Sequence, residues 1–152
     1  MSFIKRKIKV VFDMKAGGGA KIEIENHRIV ANIETAGLVG LGQLNLQIFG
    51  LSQSVMNRLT VITKIPGMLN NTITVSAGDK DSLSQVYFGT IVMSYADYTK
   101  APDVYLSVVG QVGAFQNTEN DPPSNFPGEV NAIDMLKTLT GKWAITLRIT
   151  VI

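Results

Sequence analysis

Cysteine is absent from this sequence of 152 residues, and histidine occurs once, at His27. The absence of cysteine excludes cysteine proteases, thiol redox chemistry, Fe–S clusters and every cysteine-based zinc site. A single histidine excludes a multi-histidine metal centre, and a Ser-His-Asp triad would have to use His27. No nucleophile accompanies His27 in the sequence, so we interpret it as a surface or turn residue. We therefore expect no enzyme activity, no metal and no cofactor.

Charge and long hydrophobic runs are also scarce. Charged residues make up 17% and apolar residues 45% of the chain, a combination that argues against disorder. A net charge of +2 is too small a bias to indicate binding to nucleic acid or to membranes. No apolar run approaches the ~18 residues that span a bilayer. The basic N-terminus lacks the apolar stretch of a signal peptide, so we expect no membrane insertion.

Alternation with a period of two residues is the dominant pattern, and it predicts strands with one buried and one solvated face. These strands are expected at Lys21–Glu25, Gln43–Ile48, Thr72–Ala77 and Trp143–Val151. Four further strands are apolar on both faces: Ile8–Phe12, His27–Ile33, Val86–Met93 and Val104–Val109. A strand of the second kind needs cover on both faces, from a helix, a second sheet or another subunit.

Turn residues and two short helices complete the predicted fold. Ala16–Gly19 predicts a hairpin tip, and Asn26-His27 predicts a turn between the next two strands. Ser52 is placed to cap a helix that contains Met56 and Leu59. A second helix is predicted from about Glu129 to Thr140, with Gly141 as its C-cap. The predicted fold is mainly β with two short helices, an antiparallel β-barrel or sandwich in a single domain over residues 1–152.

Two local features leave alternatives open. The cluster of Lys5, Arg6, Lys7 and Lys9 would suit phosphates or an acidic partner surface, but we prefer a charged edge strand that discourages unwanted pairing. The segment Tyr95–Asp103, with its two tyrosines and a proline, suits either docking or local packing. The carboxylates Asp97, Asp103, Asp121 and Glu129 show no pairing in sequence and are interpreted as solvated loop acids.

Several stretches, in this order, resemble baseplate hub proteins of contractile-tailed bacteriophages. They are Asn45–Ser52 with Met56–Thr60, then Ile73–Gly78, Val86–Ile91, Ala96–Tyr98, Pro102–Leu106, Pro127-Gly128 and Ala132–Leu139. The resemblance covers roughly residues 20–145 and depends on the order of elements, because these proteins carry no catalytic motif.

The resemblance implies a β-barrel of the tail-tube type that assembles into a ring around a central channel. Its implied partners are further copies of itself, as a trimer or a hexamer, together with tail tube and spike proteins. Phage DNA would meet the chain only in passage, and the implied location is the virion. Hub proteins of this type usually carry two tube-like domains, and this chain has room for one. The alternating strand that ends at Ile152 favours a piece of a longer hub.

Within this interpretation two sets of residues become candidate sites. Gln43, Asn45 and Gln47 are candidates for the channel face, as are Thr72, Thr74 and Ser76, because uncharged polar side chains would not grip DNA. The candidate interface loops and tips contain Gly17, Gly18, Gly19, Leu38, Val39, Leu41, Tyr98, Pro122, Pro123 and Phe126. Two other classes stay open, a small-ligand-binding β-barrel and an OB-like nucleic-acid-binding domain.

Overall fold

The computed structural model describes residues 6–15, 19–35, 41–62, 70–79, 82–114, 124–126, 128–129 and 131–142. The chain divides into two compact units, Met1–Asn117 and Thr118–Ile152. The strands are β1 (Lys7–Met14), β2 (Ala20–Ile24), β3 (Arg28–Glu34), β4 (Gln43–Phe49), β5 (Val61–Ile62), β6 (Thr72–Asp79), β7 (Ser82–Asp97) and β8 (Tyr105–Gln111), and the helices are α1 (Gln53–Leu59) and α2 (Ala132–Lys142). The single domain over residues 1–152 stays a prediction.

The fold class is confirmed: the chain is mainly β, and its described residues form one antiparallel sheet and two helices. The strand order in the sheet is β2-β1-β6-β7-β8-β4-β3, and β5 pairs with β7. The strand predicted over Val86–Met93 is the middle of a much longer β7. The short β5 has no counterpart in the sequence prediction, and the strand predicted at Trp143–Val151 lies outside the described residues.

The sheet is strongly staggered. One row of paired residues crosses all seven strands of the main path: Lys21, Asp13, Thr72, Thr90, Gln111, Gln43 and Glu34. From this row β2, β1 and β6 extend mainly to one side, and β8, β4 and β3 extend to the other, so the two halves of the sheet are displaced along the strand direction. Lys21 and Glu34 stand at opposite edges of the sheet, although their strands follow each other in the chain. Stagger of this kind accompanies the curling of a sheet towards a barrel. Within the described residues no ladder joins β2 to β3, so the barrel is not closed by hydrogen bonds.

The predicted turn at Asn26-His27 does not make a hairpin. β2 pairs with β1, and β3 pairs with β4. Asn26 has a φ of 60°, in the left-handed region that asparagine tolerates better than most residues. The bend therefore leads the chain from one edge of the sheet to the other, which alternation in the sequence cannot distinguish from a hairpin.

The core is built from one face of the sheet, which we call the inner face. Among the described residues, sixteen buried apolar side chains form it: Val10, Phe12, Met14, Ile24, Leu44, Leu46, Ile48, Met56, Leu59, Val61, Ile73, Val75, Tyr87, Ile91, Leu106 and Val108. Most follow the period of two along their strands, as predicted. Met56 and Leu59 come from α1, so this helix contributes to the same core.

The two helices agree with the prediction in type and differ at their ends. Helix α1 begins after Ser52, but the Ser52 hydroxyl lies 3.1 Å from the Ser54 hydroxyl and makes no cap bond. Helix α2 begins at Ala132, where the Asn131 side chain accepts a hydrogen bond from the Ile133 amide. Gly141 lies within α2, so the prediction of Gly141 as a C-cap is wrong.

Candidate functional site

The opposite side of the sheet, which we call the outer face, carries the predicted channel residues. Gln43, Asn45 and Gln47 on β4 point away from the buried Leu44, Leu46 and Ile48. Thr72, Thr74 and Ser76 on β6 point away from Ile73 and Val75 in the same way. The two sets therefore share one face and are separated by β7 and β8.

Charge is nearly absent from the middle of the outer face. Along the described parts of β4, β6, β7 and β8, the outward positions carry one charged side chain, Asp97, at the end of β7. Charges gather on the flanking strands, where the Lys9 ammonium lies 2.7 Å from a Glu23 oxygen and 3.3 Å from a Glu25 oxygen. The hydrogen bond to Glu23 raises the pKa of Lys9 and lowers the pKa of Glu23.

Strand β7 gives the outer face an apolar stripe. Its members are Val86, Phe88, Met93 and Tyr95, exposed by 46, 53, 42 and 40%. Register shifts next to Val86 and Val92 mark bulges that alter the alternation along this strand. The sequence had indicated that Val86–Met93 is apolar on both faces and needs cover. On the outer side Val86, Phe88 and Met93 are about half exposed, whereas Thr90 between them is buried.

A row of interacting side chains ties four strands together at the far end of the outer face. The Arg28 guanidinium lies 4.7 Å from the centre of the Phe49 ring, and the Phe49 and Tyr105 rings are 5.2 Å apart. The Tyr105 hydroxyl donates to Asp97 over 2.7 Å. These four residues are direct neighbours across β3, β4, β8 and β7. No sequence signal showed this row, because it depends on the register of four strands.

Asp97 is held by its own loop as well. The Thr99 hydroxyl and the Thr99 amide donate to one of its oxygens over 2.6 and 2.9 Å. These bonds, and the one from Tyr105, lower the pKa of Asp97, while the bond to Asp97 raises the pKa of Tyr105. Asp97 therefore takes part in local packing, while Tyr95 and Tyr98 in the same segment stay exposed, so docking by this segment stays a prediction.

The structure scatters the predicted interface residues. Gly19 and Tyr98 lie at the end of the sheet where β1 and β7 finish, and Leu41 lies at the opposite end, before β4. Phe126 belongs to the second unit and is half-buried. The remaining predicted interface residues lie outside the described part: Gly17, Gly18, Leu38, Val39, Pro122 and Pro123.

A cleft lies at the bend between β2 and β3, and we call it the corner cleft. Its volume is about 250 Å³, and its lining residues are Arg6, Lys7, Ile8, Lys9, Glu25, Asn26, His27 and Leu83. Three members of the predicted basic cluster therefore meet the only histidine; the fourth, Lys5, lies outside the described residues. His27 is exposed, as predicted, and its Nδ1 donates to the Glu25 carbonyl over 2.8 Å.

The described residues offer neither a metal site nor a membrane-spanning helix. No three histidine or acidic side chains there form a group that could hold a metal ion. Neither described helix has the length and hydropathy that a membrane span requires. Comparisons of the chain with models of known protein families and with curated proteins found no match.

Proposed function

We propose that this chain is a structural protein of a contractile phage tail. In this proposal it assembles with copies of itself into a ring at the baseplate hub and joins the tail tube to the central spike. The chain acts without catalysis, and its location is the virion. Trimer and hexamer both remain consistent with the proposal.

The observation that carries the proposal is the outer face. Its middle strands present uncharged polar side chains on β4 and β6 beside the apolar stripe of β7. A group of exposed apolar side chains of this kind is typical of an interaction site. Neutral polar side chains such as Asn45 and Gln47 suit a channel through which DNA must slide, since they supply no counter-charge to phosphates.

The order of elements also supports the proposal. Asn45–Ser52 forms the end of β4 and the approach to α1, and Val86–Ile91 lies in β7. Ala132–Leu139 lies in α2. The resemblance to baseplate hub proteins implied a strand that leads to a helix for the first segment, a strand for the second and a helix for the third. The inner face, by contrast, is filled with buried side chains along the described strands, which disfavours a ligand-binding barrel.

The mass of the purified protein in solution tests the ring. We expect a species of several 16.5 kDa chains, alone or after addition of tube and spike proteins. Phe88→Ser should reduce assembly and leave the melting temperature nearly unchanged, because Phe88 is exposed and outside the core. Val112→Ser is the matched control: Val112 is 42% exposed but lies in the turn after β8, so this variant should assemble normally. A wild-type chain that stays monomeric with both partners would refute the proposal.

The channel assignment has a separate test. Rings of a triple variant with lysine at Gln43, Asn45 and Gln47 should retain double-stranded DNA at low salt, whereas wild-type rings should not. Equal DNA retention by both rings would place these residues away from the channel. Binding of single-stranded nucleic acid by the wild-type monomer, falling steeply with salt, would favour the OB-like alternative instead.

A further inference from the structure

The edge of β1 is only partly used by its neighbours. The ladder between β1 and β6 extends to the Lys7–Gly78 pair, but the ladder between β1 and β2 starts at the Val10–Ile24 pair. Over Lys7–Lys9, the side of β1 that faces away from β6 therefore has no ladder partner among the described residues. A free strand edge of this kind is a template for a further strand.

The corner cleft lies at this free edge. Beyond Ile24 the chain bends through Glu25, Asn26 and His27 and leaves the line that a longer β2 would have followed. The cleft volume of about 250 Å³ is below the roughly 300–1,000 Å³ of small-molecule pockets. This size suits a short stretch of extended chain better than a cofactor or a drug-sized ligand.

The cleft carries more positive than negative charge. Lys9 is shared between Glu23 and Glu25, and Glu25 is the carboxylate among the described lining residues. Arg6 and Lys7 form no ion pair within the part of the chain that the structure describes. Within the described residues, these two cationic side chains therefore border the cleft without a counter-ion, and a carboxylate would complement them.

The lining also has an apolar part. Ile8 and the 40% exposed Leu83 contribute to the cleft. A lone phosphate or another small oxyanion would leave this apolar surface and the free backbone edge of β1 without contacts. An extended peptide can use both, since its backbone pairs with the edge and its alternate side chains reach the cleft and its rim.

We propose that the corner cleft binds an extended acidic segment of a partner protein, which adds to β1 over Lys7–Lys9 and places a carboxylate beside Arg6 and Lys7. The partner is defined by its chemistry: a short β-strand with alternating apolar and acidic side chains. This proposal does not rest on the ring, because the cleft takes only Leu83 from β7 and none of the four residues of the apolar stripe.

Fluorescence anisotropy with a labelled Val-Glu-Val-Asp-Val peptide, blocked at both ends, tests the proposal. We expect saturable binding that the combined change Arg6→Gln with Lys7→Gln weakens roughly tenfold. Lys15→Gln is the matched control, because Lys15 is an exposed cation just beyond the opposite end of β1; it should bind like the wild type. Melting temperatures of all variants establish that they are folded.

Three further probes separate the parts of the proposal. A neutral Val-Gln-Val-Asn-Val peptide should bind more weakly, and equal binding would overturn the role of charge. The acidic peptide with N-methylated backbone amides should lose most of its affinity, and unchanged affinity would overturn strand addition. Inorganic phosphate should not displace the acidic peptide at equal concentration; displacement would show a simple anion site and overturn the proposal.

Discussion

The two faces of the sheet are built by the same strands and have opposite characters. Leu46 is buried on the inner face, while its neighbours Asn45 and Gln47 face outwards on the same strand. The inner face is complete within one chain, because its apolar side chains cover one another. The outer face combines neutral polar residues with an uncovered apolar stripe on β7. Packing within the chain thus accounts for the first face and leaves the second available to another molecule.

The sharpest test of this difference is a pair of adjacent alanine substitutions. Leu46→Ala should lower the free energy of unfolding by about 2–5 kcal/mol, because it removes buried methyl groups and leaves a cavity. Asn45→Ala should change it by no more than about 0.5 kcal/mol, since this side chain is exposed. Denaturant unfolding of both variants measures the difference. Similar losses for the two variants would contradict the assignment of the faces.

A second test concerns how tightly the inner face is filled around Tyr87. A methyl group at Gly89 would overlap the Tyr87 hydroxyl and approach the Gln111 carbonyl oxygen to 3.0 Å. At Gly110 the nearest atom would be the same hydroxyl, at 3.1 Å. Gly89→Ala should therefore lower the free energy of unfolding by about 1–3 kcal/mol, and Gly110→Ala should cost less.

Tyr87→Phe distinguishes these two glycines. The Tyr87 hydroxyl is buried and has no hydrogen-bond partner among the described residues, so its removal should not destabilise the fold. In the Tyr87→Phe background, Gly110→Ala should become neutral or stabilising, because the next contacts are ordinary ones at 3.4 Å. Gly89→Ala should stay destabilising, since the ring carbon and the Gln111 carbonyl remain in place. A double-mutant cycle measures both couplings; equal rescue of the two would contradict this geometry.

The sequence was sufficient for what depends on local pattern. Alternation located the main strands, and the apolar spacing around Met56 and Leu59 located α1. The sequence could not predict features that depend on which strands pair and in which register. In sequence the bend at Asn26 resembles a hairpin turn, but in the fold it connects β2 and β3, which lie at opposite edges of the sheet. The row from Arg28 to Asp97 exists only because four registers bring its members level.

Candidate sites follow the same division. Gln43, Asn45 and Gln47 were assigned to one exposed face by alternation alone, and the structure keeps them there. The corner cleft was not foreseen, although the basic cluster and His27 were each noted. They meet because the ladder between β1 and β2 stops at Val10, whereas the ladder between β1 and β6 continues to Lys7. No local sequence pattern predicts where a ladder stops.

The smallest expected effect concerns the one charged outward residue of the middle strands. Bonds from Thr99 and then Tyr105 lower the pKa of Asp97 below its usual 3.8. A carboxylate whose pKa is lower in the folded than in the unfolded state stabilises the fold above the unfolded value, and this contribution is lost as the pH falls through the folded value. As the pH falls below about 4, the free energy of unfolding should therefore decrease more steeply for the wild type than for Asp97→Asn.

Two tyrosines, Tyr87 on the inner face and Tyr105 on the outer face, predict a loss of stability at alkaline pH. The bond to Asp97 raises the pKa of Tyr105 above 10.0, and burial raises the pKa of Tyr87 to about 12. A raised pKa stabilises the fold below the unfolded value and the contribution is lost as the pH rises through the folded value, so stability should fall from about pH 10 upwards.

Melting temperatures between pH 2 and 5 measure the acid limb of the stability profile, and those between pH 9 and 12 measure its alkaline limb. Tyr87→Phe and Tyr105→Phe should each flatten the alkaline limb, and Ser107→Ala, a non-titrating neighbour on the outer face, should leave the slopes unchanged. Lys9 and Glu23, whose pKa values are also raised and lowered, should keep part of each limb. An alkaline slope that is unchanged in the Tyr87→Phe Tyr105→Phe double variant, or an acid slope that is unchanged in Asp97→Asn, would show that these groups do not titrate as their contacts require.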